Sequence, residues 1–176
     1  MCLAACAWAY LAALRRGALV ALNITGGIVQ IVPPTGTADS AWLVLRLALW
    51  PDTAQAGHLS EMADAIARGL YVRLALATDG SAVGFVEASK RVDYVNGTSS
   101  SPVAFLEGLY VVPSARRRGV ARTLVESVVQ WALEEGCAEL ASDALLDNCT
   151  AHTVHRSLGF EETERVVYFR RALHDA

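Results

Sequence analysis

Arg116-Arg117-Arg118-Gly119-Val120-Ala121-Arg122 sets four guanidinium groups around one glycine, just before apolar residues that recur at helical spacing. A strand entering a glycine-containing turn at a helix start makes an anion site. Free backbone N–H groups point outward there, and the helix dipole adds positive potential. Gly119 and Ala121 keep side chains small where a ligand must approach the backbone closely. A pyrophosphate suits such a turn, although the same charges would also serve as a solvated surface face. The turn is not a P-loop, because no Gly-Lys-Ser/Thr follows, and the G-x-G-x-x-G dinucleotide pattern is absent. A second residue stands out upstream. Glu107 lies inside the apolar run Val103 to Val111, and a buried, unpaired carboxylate costs several kcal/mol. It is therefore expected to face a cleft or a partner.

The elements around these residues follow from periodicity and turn chemistry. Val103 to Val111 reads as a strand, and Val120, Leu124, Val125, Val128, Val129 and Leu133 as one helix face ending at Gly136. Upstream, Ile28 to Val32 alternates as a short strand before Pro33-Pro34. Asp39 or Ser40 caps a helix through Trp42, Leu43, Leu45 and Leu49 that Pro51 stops, and a second helix covers about Leu59 to Arg68. Tyr71 to Thr78 and Ser81 to Ala88 form a hairpin across Asp79-Gly80. Lys90 to Pro102 is polar and reads as an exposed loop, the kind of segment that often carries binding residues. Downstream come a strand over Glu139 to Asp143, a helix over Asn148 to Leu158 closed by Gly159, and a final strand over Val166 to Arg170. Strands and helices alternate through the second half, which predicts an α/β sheet with some parallel pairing.

The 176 residues, 53% hydrophobic and 19% charged, suffice for one globular domain with a core of its own. A formal net charge of −3 gives no reason to expect a nucleic-acid partner. Cys2, Cys6, Cys137 and Cys149 form no C-x-x-C pair and have no histidine at metal-ligand spacing. The expectation is four reduced thiols in a cytoplasmic protein, with no metal. Cys2 to Leu14 is nearly all apolar, then Arg15-Arg16 interrupts it and another apolar stretch runs to Leu22. A membrane span needs about 20 uninterrupted apolar residues, and a secretory signal carries its charge before the apolar core rather than after it. Residues 1–27 are therefore expected to be an extension of unknown role: either a helix that packs on the domain or dimerises, or the product of a start assigned too far upstream. Residues 28–176 are the domain itself, with no membrane partner.

Arg116-x-x-Gly119-x-Ala121 after the strand resembles the acyl-CoA pyrophosphate loop of the GNAT superfamily. Asn148…Ala151…His155…Gly159-Phe160 resembles that superfamily's second CoA-contacting helix. A closer resemblance runs from about Ile31 to Arg171. Leu49-Trp50-Pro51, Asp93-Tyr94-Val95-Asn96-Gly97, Ser100-Ser101-Pro102, Phe105-Leu106-Glu107-Gly108, Ala141-Ser142-Asp143 and Gly159-Phe160-Glu161-Glu162-Thr163-Glu164-Arg165 are similar to the chromosomal-type aminoglycoside 6′-N-acetyltransferases. The first 28 or so residues have no counterpart there.

That resemblance implies a mixed, mostly antiparallel twisted sheet, splayed at the acetyl-CoA site and flanked by helices. It implies acetyl-CoA as cosubstrate, an aminoglycoside as acceptor and a homodimer. Trp50, Tyr94, Glu107, Asp143 and Glu164 match aminoglycoside-contacting positions. Leu109, Tyr110 and Val111 would hold pantetheine, Arg116 to Arg122 the pyrophosphate, and Asn148 the pantetheine or thiol end. Chemistry agrees: the acceptor is a polyamine, and carboxylates give charge-assisted hydrogen bonds worth about 1.5–3 kcal/mol each. Asp143, then Glu107, is the candidate base. His155 stands where many relatives carry tyrosine; it either protonates the leaving thiolate or packs while the thiolate leaves unassisted. A GNAT enzyme for another amine, or a non-catalytic acetyl-CoA-binding domain, would have less use for three such carboxylates.

Overall fold

The computed structural model describes residues 20–24 and 27–173, with side chains from Val29 onward. Cys2, Cys6 and the Arg15-Arg16 pair lie outside the described residues. The described chain runs β1 (Val20–Ile24), β2 (Gly27–Val32), α1 (Ser40–Leu49), α2 (Gln55–Ala67), β3 (Tyr71–Leu76), β4 (Ala82–Arg91) and β5 (Val103–Val111). A 3-10 turn (Pro113–Ala115), α3 (Val120–Glu134), β6 (Leu140–Ser142) and α4 (Cys149–Ser157) complete it. The strands form one sheet in chain order. β1 to β5 pair antiparallel, and β5 to β6 pair parallel. The end of the expected N-terminal extension is thus a strand, Val20–Ile24, hydrogen-bonded to β2.

Alternation along the strands divides the core between two faces. Val72, Leu74 and Phe85 pack with Trp42, Leu45, Met62 and Ala65 of α1 and α2. Ala75, Val86, Ala88 and Leu106 pack with Leu124, Val125 and Val128 of α3. α1 begins where the sequence expects it. Asp39 Oδ1 accepts the N–H groups of Ala41 (2.9 Å) and Trp42 (3.0 Å), while Oδ2 accepts the N–H and hydroxyl of Thr35, both at 2.8 Å. α2 begins four residues earlier than expected, because its N-cap is Ala54, which offers no side-chain acceptor to mark the start. The Asp79-Gly80 turn forms, with Gly80 at φ +82°, and β4 extends through Arg91, taking the first two residues of the expected loop.

The expected final strand is not formed. Residues 166–170 have no strand structure and are exposed throughout. A strand exists only with a hydrogen-bonding neighbour, and within one described chain this apolar segment finds none. Among the described residues no helix is long and apolar enough to cross a membrane.

The Asp39 cap generates a test. Burial pushes its carboxyl up, but hydrogen bonds from Thr35, Trp42 and Ala41 outweigh that and hold it below its usual value. Asp39→Ala is expected to lower stability by about 1 kcal/mol in urea titrations at neutral pH. A depressed folded-state pKa contributes stability in full above the ordinary carboxylate value and loses it as pH falls through the lowered one. The gap between wild type and variant should therefore close in strong acid.

Candidate active site

β5 and β6 pair for only three residues, Ala104 with Leu140, Phe105 with Ala141 and Leu106 with Ser142. β5 then continues to Val111 while β6 ends at Ser142. From Glu107 to Val111 that side of β5 faces no strand among the described residues. Its unpaired N–H and C=O groups, apart from the Val111 carbonyl, suit an extended ligand that adds like a strand. The edge leads directly to the α3 N-terminus. Gly119 caps it at φ +85° with no side-chain cap hydrogen bond, which leaves first-turn N–H groups open to an anion. Arg117 adopts φ +58°, a left-handed conformation uncommon outside glycine that clusters at functional turns.

The four arginines of this turn divide into two pairs. Arg116 Nε donates to the Val111 carbonyl at 2.9 Å, and Arg122 donates to the Ser157 carbonyl at 2.6 Å. Arg117 and Arg118 are exposed beside the helix start. Two therefore fasten the turn to β5 and α4, and two offer charge. Among the described residues no group of three His, Cys, Asp or Glu side chains is arranged to hold a metal.

On the α1–α2 face, a cleft of about 680 Å³ opens between β4, β5 and the loop after β4. Trp50, Tyr94 and Glu107 line it together with Arg46, Glu87 and Arg91. Glu107 reaches it through a bulge. Glu87 pairs with Gly108 and Ala88 with Leu106, so Glu107 is the extra residue on β5, and such bulges re-aim side chains. Arg91 Nη2 donates to both Glu107 oxygens at 2.9 Å, and the Ser89 hydroxyl donates to Oε1. The Arg91 guanidinium also lies 3.4 Å over the Phe105 ring. Trp50 follows the end of α1 and packs across the sheet at Gly108, where a Cβ would lie 2.6 Å from the indole. Its edge meets Phe85 at 6.1 Å between centroids. Tyr94 is 78% exposed on the cleft's outer loop.

Asp143 and Glu164 are not in the cleft wall. Asp143 is the residue after Ser142, as Glu107 is the residue after Leu106, so each is the first residue past the last paired position of its strand. Asp143 is exposed. Glu164 is exposed too, on a segment that crosses the Tyr94 loop: a Cβ on Gly97 would meet Thr163 Oγ1 at 2.1 Å. Asn148 caps α4, its Oδ1 accepting the Ala151 N–H at 3.0 Å.

His155 sits at the base of the split. Its Nδ1 lies 2.8 Å from the Ala151 carbonyl, which can only accept, so Nδ1 carries a proton. Nε2 lies 3.0 Å from Ser142 Oγ, which is itself 3.2 Å from the Leu106 carbonyl. The arrangement serves both charge states. An imidazolium donates from Nε2 to Ser142, whose hydroxyl donates to Leu106. A neutral ring accepts from the same hydroxyl once it turns.

Sequence reasoning passed over the polar cluster beneath the cleft. Arg46 and Glu87 are 5% and 3% exposed and bound to each other through Nη1, 2.6 Å from both carboxylate oxygens. Trp42 Nε1 donates to Glu87 Oε1 at 2.6 Å, and Arg46 Nη2 pairs with Glu61. Burial raises the Glu87 carboxyl above its usual value although Arg46 and Trp42 pull it back. The signal was available: Glu87 interrupts an apolar strand as Glu107 does.

A family model described as the acetyltransferase (GNAT) family matches residues 41–160. The aminoglycoside N(6′)-acetyltransferase type 1 of Acinetobacter haemolyticus is 47% identical over 144 residues, covering 82% of this chain and 99% of that protein. Its counterpart in Acinetobacter baumannii is 49% identical over 143 residues, covering 81% and 97%. Among solved structures, the aminoglycoside 6′-N-acetyltransferase AAC(6′)-Ih from Acinetobacter baumannii superimposes with a TM-score of 0.79 at 47% identity, covering 83% of this chain and 99% of that one. AAC(6′)-Iy in complex with the bisubstrate analogue CoA-S-monomethyl-acetylneamine superimposes with a TM-score of 0.75 at 43% identity, covering 82% and 97%.

The contact between Gly108 and Trp50 can be probed directly. Gly108→Ala is expected to push the indole aside and weaken acceptor binding about tenfold, with acetyl-CoA binding intact. Calorimetry with each ligand separates the cases; equal loss of both would mean that the substitution disrupts β5 itself.

Proposed function

The chain belongs to the GNAT acetyltransferase family, and on that footing we propose that it transfers the acetyl group of acetyl-CoA to the 6′-amino group of an aminoglycoside. The observation that carries the reading is one of adjacency. A cleft walled by Trp50, Tyr94 and Glu107 meets the open β5 edge that leads to the uncapped α3 N-terminus. An amine held in the cleft thereby reaches a thioester laid along the edge. The likeness to the Acinetobacter enzymes and to the AAC(6′)-Iy complex supports the same pairing of ligands.

In this reading Leu109, Tyr110 and Val111 hold the pantetheine arm through the backbone. The turn from Arg116 to Arg122, with Gly119, Val120 and Ala121 at its centre, holds the pyrophosphate, and Asn148 contacts the arm from α4. A backbone N–H near Tyr110 or Val111 polarises the thioester carbonyl, an effect worth about 3 kcal/mol when preorganised. Asp143 takes the proton of the attacking amine, directly or through water, with Glu107 the second candidate. The amine nitrogen bonds to the acetyl carbon as the carbon–sulfur bond breaks. His155 returns a proton to the leaving thiolate from Nε2, directly or through the Ser142 hydroxyl, with the Ala151 carbonyl holding the ring at Nδ1. Trp50 and Tyr94 pack against sugar faces, and Glu107, Asp143 and Glu164 bind ammonium groups. The reaction needs no metal and involves neither nucleic acid nor membrane. Its cosubstrate and thiols suit the cytoplasm.

The working form is a homodimer. Val167, Tyr168 and Phe169 are 73%, 81% and 93% exposed, a contiguous apolar strip of the kind that marks an interface. The strip begins just past Glu164, so pairing through it would let that carboxylate serve a neighbouring cleft. Light scattering at micromolar concentration should report a dimer, and a fully active monomer would sink this part of the reading.

Release of CoA thiol from acetyl-CoA tests the activity itself. Turnover with kanamycin or tobramycin that needs the 6′ amine, and that falls at least about a hundredfold in Asp143→Asn, is expected. Acetyl-CoA binding without turnover on any aminoglycoside would assign the acceptor role to a different amine.

A further inference from the structure

His58 is fully buried in α2, and nothing in the proposed chemistry uses it. Its Nε2 lies 3.1 Å from the Trp50 carbonyl, which can only accept, so Nε2 carries the proton. Nδ1 must then be the bare nitrogen, and it receives the Arg46 Nε–H at 3.4 Å. The ring also stacks on Trp50 at 6.5 Å and 28°. Arg46 in turn lies with its guanidinium carbon 4.7 Å from the Trp50 ring centroid. Its charge is balanced by Glu87 from β4 and Glu61 from α2. The indole is thus held by its own carbonyl, across its face and from beneath, where Gly108 leaves room.

We infer that His58 is a positioning residue for acceptor binding: locked in one tautomer by Arg46, it clamps the Trp50 backbone so that the indole stands as a fixed wall of the cleft. Trp50 closes α1, its N–H donating to the Arg46 carbonyl at 2.9 Å, and its own carbonyl accepts the Thr53 N–H at 3.3 Å before the chain turns away at Pro51. The His58 bond, at 3.1 Å, is a second and shorter hold on that carbonyl, and it comes from another helix. Arg46 links the clamp to the buried Glu87 and to Glu61 and so ties α1, α2 and β4 into one rigid seat. A wall fixed before binding leaves less side-chain entropy to lose when a sugar stacks on it. The inference rests on the aminoglycoside reading of the cleft.

The two ring nitrogens can be tested one at a time. In His58→Gln the amide nitrogen reaches the Nε2 position and keeps the donor to Trp50; in His58→Asn the side chain reaches only the Nδ1 position and loses it. With kanamycin as acceptor, H58N should raise KM for the aminoglycoside about fivefold. Its kcat and its KM for acetyl-CoA should stay near wild type, and H58Q should restore most of the loss. Adding H58N to Trp50→Ala should raise KM no further than Trp50→Ala alone, because the clamp acts through the indole. An H58N enzyme with unchanged aminoglycoside KM, or one equally impaired toward both substrates, would overturn the inference. Should H58N fail to fold, H58Q decides, since a KM as high as that of Trp50→Ala would also overturn it. Failure of the underlying reading looks different: wild type itself would then turn over no aminoglycoside.

Discussion

Two parallel strands that part after three residues create most of what this molecule can do. Were β6 paired with β5 along its whole length, Glu107 to Val111 would spend their hydrogen bonds inside the sheet, and nothing extended could lie there. The parting opens that edge and leaves Glu107 and Asp143 as the first residues beyond the last paired position of their strands. It also brings His155 to the closed end, where Ser142 spans from the ring to the Leu106 carbonyl. The glycine turn at α3 lies at the other end of the same edge. A ligand with a long arm and a phosphate end is measured by that distance.

The opposite requirement, rigidity, is met on the α1–α2 face. Burying Arg46 with Glu87 is not by itself a stable bargain, because desolvating both charges offsets much of their attraction. The pair is tolerated because its partners are complete: two oxygens of Glu87, the Trp42 N–H, Glu61 and His58 leave no buried side-chain polar atom without a partner among the described residues. Such a satisfied cluster permits one arrangement of the elements around it and resists others. The cleft wall is built on that arrangement.

Most elements were legible in the sequence because their signals are local. Asp39 announces α1, Asp79-Gly80 the hairpin, and Gly119 the turn before α3. The glycine turn with its four arginines was legible for the same reason, since it is contained in seven consecutive residues. What escaped was relational. α2 starts at an alanine that offers no capping atom. Residues 166–170 carry a strand's composition, yet strand structure depends on a neighbour that composition cannot name. The cluster of Arg46, His58 and Glu87 draws on three elements, and only Glu87, set in an apolar strand, carries a local sign of it. Trp50, Tyr94 and Glu107 were chosen from sequence and do share one cleft, whereas Asp143 and Glu164 are exposed and outside its lining, a difference that no spacing rule could foresee.

The unequal roles of the four arginines bear on how the turn tolerates change over many generations. Arg116 and Arg122 each aim a guanidinium at a single carbonyl, a geometric task that a lysine's flexible point charge performs poorly. Arg117 and Arg118 contribute charge near a helix start, which any cation supplies. Drift among homologous sequences should therefore be lopsided within this one motif, with lysine accepted freely at the inner two positions and scarce at the outer two.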